Sequence, residues 1–221
     1  MPAAALQPLI DGRFSEFLQL RPKPSQDPLP SGVRDLDFPR GAVTEIHGPA
    51  SSGRTTLLYL ALAQATGRDE FCALVDVDDA FDPESAAAAG VVLDRLLWIR
   101  CGGNAGHALK VMDLVVQGAG FGMVAMDLGS TPPETARRIP PASWFRFRHA
   151  VQNTRSVLLV LEQGPYARSC AELSLETSRE KVAWSGAAGC SQLLRGMRFH
   201  LEQQKPRAAS TFAFCLLPFD F

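Results

Sequence analysis

Residues Gly48 to Thr56 read GPASSGRTT, a glycine, four residues, a second glycine, a basic residue and two threonines. Glycines at that spacing let a loop turn tightly around an anion with its N–H groups pointing inward. A helix that starts at the end of such a loop adds positive potential. The flanks suit this chemistry, because Ala42 to His47 reads as a strand and Arg54 to about Ala65 as a helix. Gly48, Pro49, Ser51, Ser52, Gly53, Arg54, Thr55 and Thr56 are therefore candidate phosphate-binding residues. The basic position of this motif ordinarily carries lysine. Arg54 offers a wider, planar guanidinium that does not simply replace a compact ammonium. The Thr55 hydroxyl is the group that would meet a magnesium ion.

The elements that must position this loop follow from hydrophobic patterning. Phe71–Val77, Leu96–Arg100, Gly122–Asp127 and Ser156–Leu161 are short, nearly continuous apolar runs, the mark of strands covered on both faces. Segments able to form helices separate them at Pro83–Ala89, Ala105–Gln117 and Pro133–Asn153. That alternation predicts an α/β fold with a mainly parallel sheet flanked by helices. After residue 170 the rhythm changes to short alternating segments, Glu172–Thr177, Met197–Gln203 and Thr211–Leu216, expected as antiparallel additions to the sheet edge. Ahead of the core, Leu6, Leu9, Ile10, Phe14 and Phe17 line one face of an expected helix within residues 1–20. Pro22, Pro24, Pro28 and Pro30 then make residues 21–30 an extended linker, so the core spans 31–221.

Composition narrows the classes. The chain has 221 residues, 46% hydrophobic and 20% charged, which is globular material and not that of a disordered chain. No apolar run is long enough to span a bilayer, and the start lacks the pattern of a secretory signal. A net charge of −1 supplies no global field toward nucleic acid, so any polyanion contact must be local. The 18 Arg against 4 Lys read first as the imprint of a GC-rich genome. Five scattered cysteines without a CxxC pair carry no zinc or redox signature and suit reduced thiols in a cytoplasm.

GPASSGRTTL resembles the GPESSGKTTL loop of bacterial RecA recombinases. The likeness extends upstream through SGVRDLDFPRGAVTEIHG (31–48) and downstream through LVDVDDAFDPESAAAAGVVLDRLLWIR (74–100) and LVLEQ (159–163). It implies a RecA-like core with ATP and magnesium as ligands. Asp78 falls where RecA has the glutamate that orients water, and Gln163 where RecA has the glutamine that reports the γ-phosphate. Asp127 matches the acid that holds magnesium through water. Lys205 and Arg207 resemble the pair that reaches a neighbouring subunit's ATP. The chain departs from RecA at Arg54 and at Asp78, has shortened loops after Asp127 and Gln163, and lacks a segment matching the RecA carboxy-terminal domain.

FPRGAVTEIHG, the Arg-Thr-Thr loop, SLETSREKVAW and LLRGMRFHLEQQK resemble the ImuA family, RecA homologues of damage-inducible mutagenesis cassettes. That likeness implies a bacterial, cytoplasmic accessory protein of translesion synthesis, nucleoid-associated when active. RecA and an ImuB-type polymerase-like protein are the partners it implies, with at most weak ATPase activity. Two alternatives stand beside it, a DNA-stimulated ATPase that forms its own filament, and a binding module like the SulA branch of the superfamily. Arg137, Arg138, Arg146 and Arg148, interleaved with Trp144, Phe145 and Phe147, form either a single-stranded DNA patch or the wet face of an amphipathic helix. The closing PFDF is either a cover for the last strand or a partner-binding peptide.

Overall fold

A computed structural model describes residues 27–118, 120–185, 193–206 and 210–216. The expected helix within 1–20, most of the proline linker, Arg207 and the closing PFDF lie outside those residues.

The apolar runs become strands, as their patterning requires. In chain order the elements are β1 (Leu29–Pro30), β2 (Asp37–Phe38), β3 (Ala42–His47), α1 (Arg54–Thr66), β4 (Cys72–Asp76) and α2 (Pro83–Ala88). There follow β5 (Leu96–Arg100), α3 (Ala105–Gly118), β6 (Met123–Asp127), α4 (Pro133–Ala136), α5 (Pro141–Val151) and β7 (Val157–Glu162). The chain closes with β8 (Leu173–Ser185), β9 (Leu193–Lys205) and β10 (Thr211–Leu216). β1 and β2 pair as a small ribbon, and the other eight strands form one sheet in the order β10-β9-β8-β3-β7-β6-β4-β5. β6 and β7 are inserted between β3 and β4, so the carboxyl ends of four parallel strands lie side by side. Open α/β sheets bind ligands outside such ends.

Successive strand residues serve two cores. Leu159 and Leu161 of β7 join Leu57, Leu58 and Leu62 of α1 on one face, while Leu158 and Val160 join Met112 of α3 and Phe147 of α5 on the other. Burial on both faces explains why these strands read as continuous apolar runs.

Two expectations need correction. The helix anticipated over Pro133–Asn153 is two helices, α4 and α5, parted at 137–140. Pro140 and Pro141 disfavour helical geometry in the residues before them, and Pro141 opens α5 at its first turn. The segment after residue 170 is also not wholly antiparallel. β8 lies parallel to β3, β9 runs antiparallel to β8, and β10 runs antiparallel to β9. β8 and β9 are 13 residues each, longer than expected; beyond Glu176 β8 pairs only with β9, which has β10 along its other side. This hairpin runs past the end of β3, beside the loop that starts at Gly48.

At the other end of the sheet, Arg40 ties the starts of several central strands together. Its guanidinium forks onto Glu70 at 2.7 and 3.0 Å and donates to the carbonyls of Arg155 at 2.7 Å and Asp27 at 2.9 Å. Arg40 and Glu70 side chains are only 5% and 15% exposed. Arg40→Ala leaves that carboxylate buried without its partner and is expected to cost about 3–5 kcal/mol, read by urea unfolding. Arg40→Lys should recover only part of the loss, because an ammonium cannot fork.

Candidate functional site

Gly48 to Gly53 turns from β3 into α1 with left-handed backbone at Ser51 (φ 59°) and Gly53 (φ 94°). Gly53 caps α1, no side chain caps its first N–H groups, and no acid lies in the first turn. Uncapped donors of this kind suit an anion. Pro49, Ser51 and Thr55 are exposed, while Ser52, Gly53 and Arg54 are buried. Thr56 is half-buried. The overhanging hairpin supports the loop. The Phe199 ring lies 2.7 Å from where a Cβ on Gly53 would stand, so only glycine fits there. Gly48 is pressed against the Thr177 carbonyl, and Thr177 Oγ1 meets Ser52 Oγ at 2.5 Å while donating to the His47 carbonyl at 3.1 Å.

Arg54 turns onto the strand ends. Its guanidinium donates to the carbonyl of Glu162 at 2.5 Å, ending β7, and to that of Gly129 at 3.1 Å, just past β6. The residue is 8% exposed. Beside it Asp127 accepts from the Gly129 N–H at 2.7 Å. Burial pushes the Asp127 carboxyl up to about 6, against the pull of that hydrogen bond and of Arg54. Burial likewise lowers Arg54 from its ordinary value.

The turn 127–131 gathers the other candidates. Thr131 Oγ1 donates to Asp78 Oδ2 at 2.5 Å, and Gln163 Nε2 donates to the Thr131 carbonyl at 3.0 Å. Arg54 from the start of α1, and Asp78, Asp127 and Gln163 from the ends of β4, β6 and β7, thus meet at one five-residue turn. Thr131 had no motif to point it out, and Thr177 and Phe199 lie more than a hundred residues from the loop they support. Asp76 is a different kind of acid. It accepts from the N–H groups of Ala80 and Phe81 and from Trp98 Nε1, each at 3.0 Å, and so shapes the turn that presents Asp78.

Two further acids are buried on the α3/α5 face. Glu45 accepts from Ala167 N at 2.7 Å and Ser174 Oγ at 3.0 Å, and Glu162 accepts from Tyr166 N at 3.0 Å. Together they hold the 163–171 loop. Burial first, and Glu45 second, raise the Glu162 carboxyl well above the ordinary glutamate range. Near them His47, buried with its Nε2 unpartnered, is held below its usual value by desolvation.

The remaining candidates lie elsewhere. Lys205 Nζ donates to the carbonyls of Ser169 and Ala171, away from this chain's own loop. Arg146 forks onto Asp113 at 2.6 and 3.1 Å, and Trp144 and Phe147 are core residues. Arg137, Arg138 and Arg148 are exposed, with Phe145 as the exposed aromatic of α5. Among the described residues no helix is long and apolar enough to cross a membrane, and no cluster of His, Cys, Asp or Glu is grouped to hold a metal.

Residues 31–134 match the family model of the RecA N-terminal domain. This segment is RecA-like. The chain is 42% identical over 90 residues to Protein RecA of Deinococcus radiodurans, covering 41% of this chain and 24% of that one. It is 36% identical over 105 residues to Protein RecA of Picosynechococcus, covering 45% and 30%. Against Protein RecA of Chloroflexus aurantiacus it is 29% identical over 156 residues, covering 61% and 44%. The chain thus spans less than half the length of these curated relatives. The RecA-like segment includes the loop, α1, Asp78 and the 127–131 turn. The donor set there, uncapped N–H groups with an exposed Thr55 and a nearby Asp127, fits a magnesium-bound phosphate chain at its near end.

Glu162 has a raised folded pKa, so the stability it contributes is full below the unfolded glutamate value and is lost as pH climbs through the folded one. Glu162→Gln keeps an acceptor for Tyr166 N and removes the charge. The variant should melt above the native protein at pH 8, by roughly 2–4 °C for every kcal/mol recovered, and the gap should close toward pH 5. Melting curves across that range check it. An unchanged gap between pH 5 and 8 would mean Glu162 does not titrate there.

Proposed function

We propose that this chain is a RecA-like accessory protein of the DNA-damage response, of the ImuA kind. In this reading it supports error-prone translesion synthesis in the bacterial cytoplasm, near the nucleoid, through contacts with RecA or an ImuB-type polymerase complex. Nucleotide binding is weak and turnover lies far below that of RecA. The observation that carries the reading is the engagement of Arg54 by the Gly129 and Glu162 carbonyls, which commits part of the motif's cation to the protein itself. The short 163–171 loop, tied down by Glu45 and Glu162, supports it.

In this proposal the loop N–H groups hold the phosphates, Thr55 and Asp127 hold magnesium, and Asp78 and Gln163 face the reacting end. The magnesium would neutralise phosphate charge when bound. Asp78 is one methylene shorter than the glutamate it replaces and is held by Thr131, which sets its carboxylate back from the place of a general base. A second reading, a DNA-stimulated ATPase that builds its own filament, is favoured by the exposed Thr55 and by Arg137, Arg138 and Arg148, which would take single-stranded DNA.

ATP turnover with and without single-stranded DNA, followed by addition of the protein to growing RecA filaments, separates the two. The accessory reading expects turnover that DNA does not raise, and altered filament growth. Turnover that climbs on DNA addition, with RecA filaments unaffected, would establish the second reading instead.

A further inference from the structure

The residues that the resemblance gives to the far end of a triphosphate are Asp78, Asp127 and Gln163, and Arg54 stands among them. Its two hydrogen bonds go to Gly129, two residues past Asp127, and to Glu162, the neighbour of Gln163. Gly129 lies so close that a Cβ there would stand 2.8 Å from Asp127 Oδ1 and 3.5 Å from Arg54 Nη1. The carboxylate and the guanidinium therefore share the space between the ends of β6 and β7.

We propose that Arg54 sets the ligand class of this loop: its guanidinium occupies the room that a third phosphate would need, and the site takes a nucleoside diphosphate in preference to a triphosphate. The inference rests on the reading of the loop as a nucleotide site. A third phosphate would compete with the guanidinium for this space, at the cost of its charged hydrogen bonds to the Glu162 and Gly129 carbonyls. A lysine, with a single compact head, does not span two strand ends in this way. A diphosphate makes no such demand. Its phosphates reach the uncapped N–H groups at the start of α1. A guanidinium has five N–H donors, and those not spent on Glu162 and Gly129 have no protein acceptor among the described residues, which leaves them for the last phosphate oxygens.

Calorimetry on the full chain with magnesium, using ADP and a non-hydrolysable ATP analogue, tests the proposal without relying on turnover. The native protein should bind ADP at least about tenfold more tightly than the analogue. Arg54→Lys should bring the analogue to parity or beyond. Arg54→Gln, which keeps a donor but no charge, should weaken both ligands and abolish the preference. An analogue bound as tightly as ADP by the native chain, or a preference that Arg54→Lys and Arg54→Gln both leave unchanged, would overturn the assignment of Arg54 while leaving the nucleotide site standing. Failure of the native chain to bind either ligand at millimolar concentration would overturn the nucleotide reading and this inference with it. Melting curves confirm that each variant is folded.

Discussion

Everything at the carboxyl ends of the central strands depends on one buried guanidinium. Arg54 enters from the first turn of α1 and bonds the last carbonyl of β7 and a carbonyl just past β6. A cation this desolvated persists only where acceptors and counter-charge are fixed around it. The strand ends supply the first and Asp127 the second. In return Arg54 joins the glycine loop, the 127–131 turn and the strand that carries Gln163 into one body. The turn itself is held at Asp127 by Gly129, at Thr131 Oγ1 by Asp78 and at the Thr131 carbonyl by Gln163.

The acids of this region divide by what their oxygens do. Both oxygens of Asp76 are committed to the backbone and indole donors of its own turn and its neighbouring strand, so it is architecture. Asp78, two residues on, has left the strand and meets a single hydroxyl. Asp127 is buried enough to titrate near 6, close to the range where its charge responds to a cation or an anion beside it. Glu45 and Glu162 lie on the other face, where they order the loop after Gln163 through its N–H groups. A one-residue change of strand register would exchange these faces, which is why a sheet buried on both sides specifies its register so strongly.

The hairpin of β8 and β9 gives the glycine loop its second wall. Phe199 packs over Gly53 and Thr177 bonds Ser52, so the loop is held from outside by residues of the last third of the chain. Beyond that contact the hairpin carries Trp184 opposite Leu194, both exposed.

The sequence by itself determined the alternation of buried strands and helices, the place of the glycine loop between β3 and α1, and the acid that ends β6. These are local properties: an apolar run bounded by turn residues, or a glycine spacing, is legible wherever it occurs. It also misread what depends on neighbours. Two prolines split the helix expected over Pro133–Asn153, and β8 joined the parallel part of the sheet because its apolar start fits beside β3. Tertiary structure alone decided that Trp144 and Phe147 are core and Arg146 is paired with Asp113. It alone brought Thr131, Thr177 and Phe199 to residues 53 to 146 positions away in the chain. The direction of Arg54 belongs with these, because a side chain of that length goes wherever fixed acceptors await it, and those acceptors are carbonyls at the ends of two distant strands.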